Sequence, residues 1–232
     1  MALSFGRKLL VAITIILLFD VLISQIEFPE FLSQSPKPII LYYDYENLPF
    51  NVSSFPQIVS TTLRHQFNTL MLLVYFNHEL IFNDSTLEYF YSYAQSRNLT
   101  FVPSFYIESM ADNFNATNFP WVNLDMERIQ PRLQAFFYDK ISREGKEMIS
   151  VTSPYGQPVD FVPSLDIVET YSGPPRFYFL QLAYWHPGHV CSVAPWLVGN
   201  QQQYDSEKEY CLQYTDGVMV FDYYNLLKSH LN

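Results

Sequence analysis

A small, irregular α/β barrel, (β/α)8 and TIM-like, behind one amino-terminal membrane helix is the fold class that three features of the sequence predict. An apolar segment follows Arg7 and Lys8; eight strand-like runs come next, with helical patterns between the early ones; and carboxylates recur where the runs end. With 49% hydrophobic and only 16% charged residues, the composition excludes a disordered chain. Seven glycines exclude collagen-like repeats, and a net charge of −10 excludes a nucleic-acid binder, which needs a basic surface.

The apolar run Leu9–Phe19 continues past Asp20 into Val21, Leu22 and Ile23, and no pair of small residues marks a cleavage site. Residues 1–23 are therefore predicted to be an uncleaved anchor, with the chain secreted if the segment is cleaved. Basic residues before the run, and none after it until Lys37, direct the remainder of the chain outside the cytoplasm, as a single-pass protein. Residues 24–37 carry no helix or strand period and are predicted as a linker, with the domain spanning 38–232.

Strands are predicted at Ile39–Tyr45, Leu70–Phe76, Phe101–Ile107, Val122–Met126, Met148–Thr152, Leu165–Thr170, Phe177–Trp185 and Val218–Tyr223, all rich in branched and aromatic residues. Helices are predicted at Phe55–Phe67, Thr86–Arg97 and Pro131–Arg143, where apolar residues recur three or four apart and Pro131 suits a first turn. This alternation implies parallel β/α units. Segments Ser153–Ser164 and Tyr171–Arg176 are too short and proline-rich for crossover helices, so the later units are expected to be stripped down. His186–Asp216 is expected as a long cysteine-bearing excursion, and Tyr223–Leu231 as a closing helix. A doubly wound open sheet is the second choice, because Tyr45-Glu46-Asn47-Leu48-Pro49 offers no glycine-rich phosphate loop after the first strand.

An exterior location agrees with sequons at Asn51, Asn83, Asn98 and Asn115, none with proline in the middle position. The two cysteines, Cys191 and Cys211, suit one disulfide in an oxidising compartment. His186 and His189 near Cys191 leave a Cys/His metal site as the alternative, although the spacing matches no zinc pattern, and no metal is expected.

Carboxylates gather where the runs end: Asp44 and Glu46, Glu108, Asp125 and Glu127, Asp166 and Glu169, and Asp222. The carboxyl ends of parallel strands form the functional face of such folds. Asp125 and Glu127, two apart on an extended segment, share a side of it. Two carboxylates facing one cleft equip a site for glycoside hydrolysis, one donating a proton and the other stabilising or attacking the sugar carbon. The candidate catalytic residues are thus Glu127, Asp125, Asp44 and Asp222, and the expected ligand is a carbohydrate or glycan. Flat rings with polar edges suit sugars, so Tyr43, Tyr106, Tyr155, Tyr171 and Trp185, with Glu46 and Glu169, are candidate substrate contacts. His78, in Asn77-His78-Glu79, is a further polar group at the expected mouth. The same features have structural readings: Asp125 and Glu127 leading into the helix at Pro131, and Asp44 and Asp222 as acceptors for neighbouring tyrosine hydroxyls.

The segment HQFNTLMLLVYFNHELIFNDSTLEYFYSYAQSRNLTFVPSFYI, followed by WVNLDME, resembles the first half of barrel glycosidases and covers roughly half the chain. The LDME string is similar to the D-x-E end of strand four in chitinase-like and lysozyme-like glycosidases. The resemblance implies Glu127 as proton donor and Asp125 as its helper. The chain departs from the fuller pattern, which has aspartates upstream where this one has Trp121, Val122 and Asn123. There is no G-x-S-x-G elbow, no H-E-x-x-H pair and no G-x-x-x-x-G-K-[ST] loop, and no cofactor is expected. The competing function is a non-catalytic surface or viral membrane protein that uses the barrel as a binding scaffold.

Overall fold

The computed structural model describes residues 36–109, 112, 119–126, 131–143, 147–152, 165–168 and 188–231. The predicted anchor, most of the linker and the run Phe177–Trp185 lie outside the described residues, and no helix among those described is long and apolar enough to cross a membrane. Residues from Lys37 to Asn232 form one compact unit.

Strand β1 (Ile39–Tyr43) leads through a short 3-10 turn to helix α1 (Phe55–Arg64), which buries Phe55, Ile58, Val59 and Thr62 at helical spacing. Strand β2 (Thr69–Phe76) is buried on both sides along all but its last residue, as a parallel strand under helices must be. A two-residue turn at Asn77 and His78, both at positive φ, folds β3 (Glu79–Leu80) back antiparallel on β2. That is the backbone of a tight hairpin, which asparagine tolerates well. Helix α2 (Asp84–Gln95) begins at Asn83, whose side chain accepts from the Thr86 N–H, and it buries Leu87, Phe90 and Ala94.

Strands β4 (Thr100–Tyr106) and β5 (Trp121–Asp125), helix α3 (Pro131–Arg143), and strands β6 (Glu147–Thr152) and β7 (Leu165–Val168) follow in order. The chain then forms β8 (His189–Val193), a 3-10 turn at Pro195–Leu197, α4 (Gln201–Tyr214), β9 (Val218–Val220) and α5 (Tyr223–Lys228). Here the expectation of an irregular excursion over His186–Asp216 is corrected, because the segment supplies both a barrel strand and a helix. The strand that joins β7 to β9 is β8.

All neighbours in the sequence β1-β2-β4-β5-β6-β7-β8-β9 pair in parallel, and β1 also pairs with β9, so eight strands close a hydrogen-bonded ring. The doubly wound alternative is thereby excluded. Inside the ring lie Ile40, Tyr42, Met71, Leu73, Val102, Ile167, Val190 and Met219, with polar Ser104, Asn123 and Ser192 fully buried. The Asn123 amide donates to Ser104 Oγ at 2.7 Å, which fixes the inward side of β5. Between strands and helices lies the larger core, including Leu41, Tyr43, Phe55, Phe90, Phe101, Leu124 and Phe137.

The Cys191–Cys211 disulfide forms with Cα atoms 5.7 Å apart and joins β8 to α4. Gly217 is required where β9 enters beside β1, since a Cβ there would lie 2.7 Å from the Pro38 carbonyl oxygen. Lys37 donates from Nζ to the carbonyls of Leu212 and Thr215 and so caps the end of α4.

Candidate active site

At the carboxyl end of the ring, β5 finishes at Asp125, Asp44 follows β1 directly, and Asp222 lies two residues beyond β9. Period two places Asp125 on the inward side that Asn123 marks. Tyr106, the last residue of β4, pairs with Asp125 in register and packs against Phe76 at 5.4 Å between centroids.

Asp44 and Asp222 stand on adjacent strands, and each is held by its own loop. Asp44 accepts from the Glu46 N–H at 2.9 Å and from Asn47 Nδ2 at 2.7 Å. Burial pushes its carboxyl above the usual range, these hydrogen bonds pull against that shift, and the Asp222 charge adds to it. Asp222 is fully buried and caps α5, its Oδ1 accepting from the backbone and side-chain amides of Asn225, while its Oδ2 has no hydrogen-bond partner among the described residues. Asp125 stands apart from this pair, with β2 and β4 between β1 and its own strand.

The substrate candidates separate by orientation. Tyr43 faces the helices, is 2% exposed, and donates its hydroxyl to the Leu48 carbonyl at 2.8 Å. Burial, with Tyr223 and Asp222 nearby, pushes its hydroxyl well up, so it is a packing residue that supports the loop after β1. Glu46 is exposed; partial burial, then Asp44 and Glu108, raise its carboxyl. It lines a cleft of about 350 Å³ with Tyr45, Phe76, Asn77, Glu79 and Leu80, among others. Glu127, Tyr155, Glu169, Tyr171, Trp185 and Asn115 lie outside the described residues. Asn51, Asn83 and Asn98 are exposed.

Residues that the sequence reading passed over also reach this end of the barrel. Trp196, in the turn after β8, is 46% exposed and meets the edge of Phe221 at 6.1 Å, and Phe221 stacks on Tyr42 at 5.0 Å. Asp112 pairs with His78. Neither group follows a sequence period, because each assembles only when separate loops meet. Among the described residues no group of three or more His, Cys, Asp or Glu side chains is arranged to hold a metal ion.

The fold has known counterparts. The chain folds like a barrel glycoside hydrolase. It is similar to the GH18 chitinase ChiB of Flavobacterium johnsoniae, at 13% identity and a TM-score of 0.57, over 82% of this chain and 88% of that one. It is also similar to the spore cortex-lytic enzyme SleL of Bacillus megaterium, at 10% identity and 0.55, over 84% and 74%. A GH113 β-1,4-mannanase matches at 12% identity and 0.51, over 80% and 87%. These likenesses establish the architecture. No model of a known protein family and no curated protein matches the sequence.

Proposed function

We propose that this chain hydrolyses a glycosidic bond by a carboxylate pair at the barrel mouth, outside the cytoplasm and tethered by its amino-terminal apolar segment. The observation that carries the reading is the set of carboxylates at the ends of β1, β5 and β9 beside aromatic surface from Trp196, Phe221 and Tyr106. Glu127, two residues beyond Asp125 in sequence, is the proposed proton donor and Asp125 its helper. Asp44, held in place by the Glu46 N–H and the Asn47 amide, is the candidate partner on the opposite side, and it serves there as the carboxylate that these two hydrogen bonds favour. The separation of the two working carboxyls sets whether the sugar configuration is retained or inverted. Exposed Asn51, Asn83 and Asn98 are the proposed glycan attachment points of an extracytoplasmic surface.

A second reading, the non-catalytic scaffold, is favoured by one observation: Asp222 spends an oxygen on capping α5, as a structural residue does. One experiment separates the two. The full chain is assayed on chitin oligosaccharides, spore-cortex peptidoglycan and β-1,4-mannan, beside Glu127→Gln and Asp125→Asn. Hydrolysis that falls by about 100-fold or more in Glu127→Gln, with unchanged folding, supports the enzyme. Binding of a glycan without turnover, equal in all three proteins, replaces it with the scaffold.

A further inference from the structure

His78 and Asp112 form a built hydrogen-bonded unit beside the cleft. Asp112 has a fully buried side chain on which four donors converge. Its Oδ2 accepts from the backbone N–H groups of Glu108 and Ser109, each at 2.8 Å, and its Oδ1 accepts from the Tyr75 hydroxyl at 2.9 Å and pairs with His78 Nδ1. So many donors hold the carboxylate ionised, and an ionised partner keeps a proton on Nδ1 of the imidazole. The other ring nitrogen is left facing outward, on a side chain that is 52% exposed. A ring so exposed contributes little packing, yet the positive-φ turn and a buried carboxylate fix its orientation.

Nε2 lies 3.9 Å from Glu108 Oε2. That is too long for a direct hydrogen bond, and it is a span that one oxygen atom can bridge. A sugar hydroxyl, which accepts one hydrogen bond while donating another, matches a donor and an acceptor set side by side in this way. The flanking residues Asn77 and Glu79 line the adjoining cleft, as do Glu46 and the rings of Tyr45 and Phe76.

We propose that His78, clamped by Asp112, is a positioning residue for the glycan: its Nε2–H donates to a sugar hydroxyl that in turn donates to Glu108, seating one sugar in the cleft beside β2 and β3. This rests on the glycan reading above and adds a subsite and its recognition chemistry. The hydrogen bond to Asp112, then its charge, raise the His78 imidazole above its ordinary value, and Glu108 adds to this. Among the described residues, the charged and titratable groups next to His78 are Asp112 and Glu108 from the segment after β4, Tyr75 from β2 through Asp112, and its chain neighbour Glu79 on β3. The imidazolium is full at acidic pH and is lost as pH rises through the raised value, so affinity falls on the alkaline side of the ordinary histidine value of about 6.5.

The test is calorimetric titration of the full chain with chitotetraose and with mannotetraose, near pH 5.5 and near pH 8.5, for the wild type, His78→Gln and Asp112→Asn. With an oligosaccharide that binds the wild type, His78→Gln is expected to weaken affinity about 10-fold at the lower pH and to leave little pH dependence. Asp112→Asn is expected to move the fall in affinity to lower pH. Because Asp112 is buried, its variant is read only if its circular dichroism matches the wild type, and His78→Gln carries the test otherwise. Equal binding by wild type and His78→Gln at both pH values overturns the subsite while leaving the glycan reading intact. Failure of the wild type to bind either oligosaccharide overturns the subsite, and failure to bind spore-cortex peptidoglycan as well overturns the glycan reading with it.

Discussion

Across the first arc of the barrel, β1, β2 and β4 with α1 and α2, ring packs on ring, whereas the closing arc, β8, α4 and β9, is joined by a disulfide, a lysine and a glycine. In the first arc Phe90 stacks on Phe55 at 4.1 Å and meets Phe50, Phe82 and Phe101 within 6.3 Å. In the closing arc α4 buries Tyr204, Glu207 and Cys211, and Lys208 lies over the rings of Tyr204 and Phe67. Apolar burial grows with every ring added, so the first arc gains its stability from many small contacts. The closing arc also sends Val193, Tyr204, Val218 and Val220 into the larger core, and adds to them a few specific links, each of which can be removed alone.

Breaking the first arc has the largest expected effect. Phe90→Ala empties the centre of the ring cluster and costs about 4 kcal/mol, a fall in Tm on the order of 10 °C, read by thermal unfolding. Next, replacing both Cys191 and Cys211 by alanine costs about 3 kcal/mol. Hydrogen exchange sharpens the comparison: after reduction, the amides of Val190 and Val218 are expected to lose protection while those of β2 keep it. Equal loss in both arcs would show a single cooperative unit instead. Gly217→Ala forces β9 away from Pro38 and costs about 2 kcal/mol in the same melting experiment.

The smallest effect concerns the mouth. A carboxyl whose folded value is raised contributes stability at low pH that is lost as pH rises through that value. Asp44→Asn removes this loss while keeping an acceptor for the Glu46 N–H. Its Tm is expected to exceed that of the wild type by about 2 °C near neutral pH, with the gap closing below about pH 4. A gap that widens in acid would mean that the Asp44 charge is favourable in the fold.

The two arcs also differ in how far the sequence reveals them. In the first, Ile58, Val59, Leu87 and Phe90 show a helical period, and β2 is an unbroken apolar run, so each element is legible. Helix α4 is hidden because its buried stripe contains a glutamate and is surrounded by Gln201, Gln202, Asp205 and Glu209. Strand β8 is hidden because His189-Val190-Cys191-Ser192-Val193 is short and its apolar run is broken by Ser192, which shares the inward side of Val190. At the site, the positions of Asp44, Asp125 and Asp222 follow from strand ends. The inward or outward sense of Tyr43 does not, because Tyr42 and Tyr43 are both apolar enough for either side. The pairing of His78 with Asp112 spans two loops, and the parallel pairing of β2 with β4 brings it about.

The bond from Lys37 to the end of α4 has a mechanical meaning. Any pull on the chain from its amino-terminal side reaches Lys37 and β1 first, and β1 lies between β2 and β9 in parallel register. Such a load acts along the strands and must shear the hydrogen bonds of both neighbours together instead of peeling one edge. Part of it passes through Lys37 into α4 and across the Cys191–Cys211 link into β8. The seam at which the ring closes is therefore the place where tension applied at Lys37 would be shared between strands on either side of it.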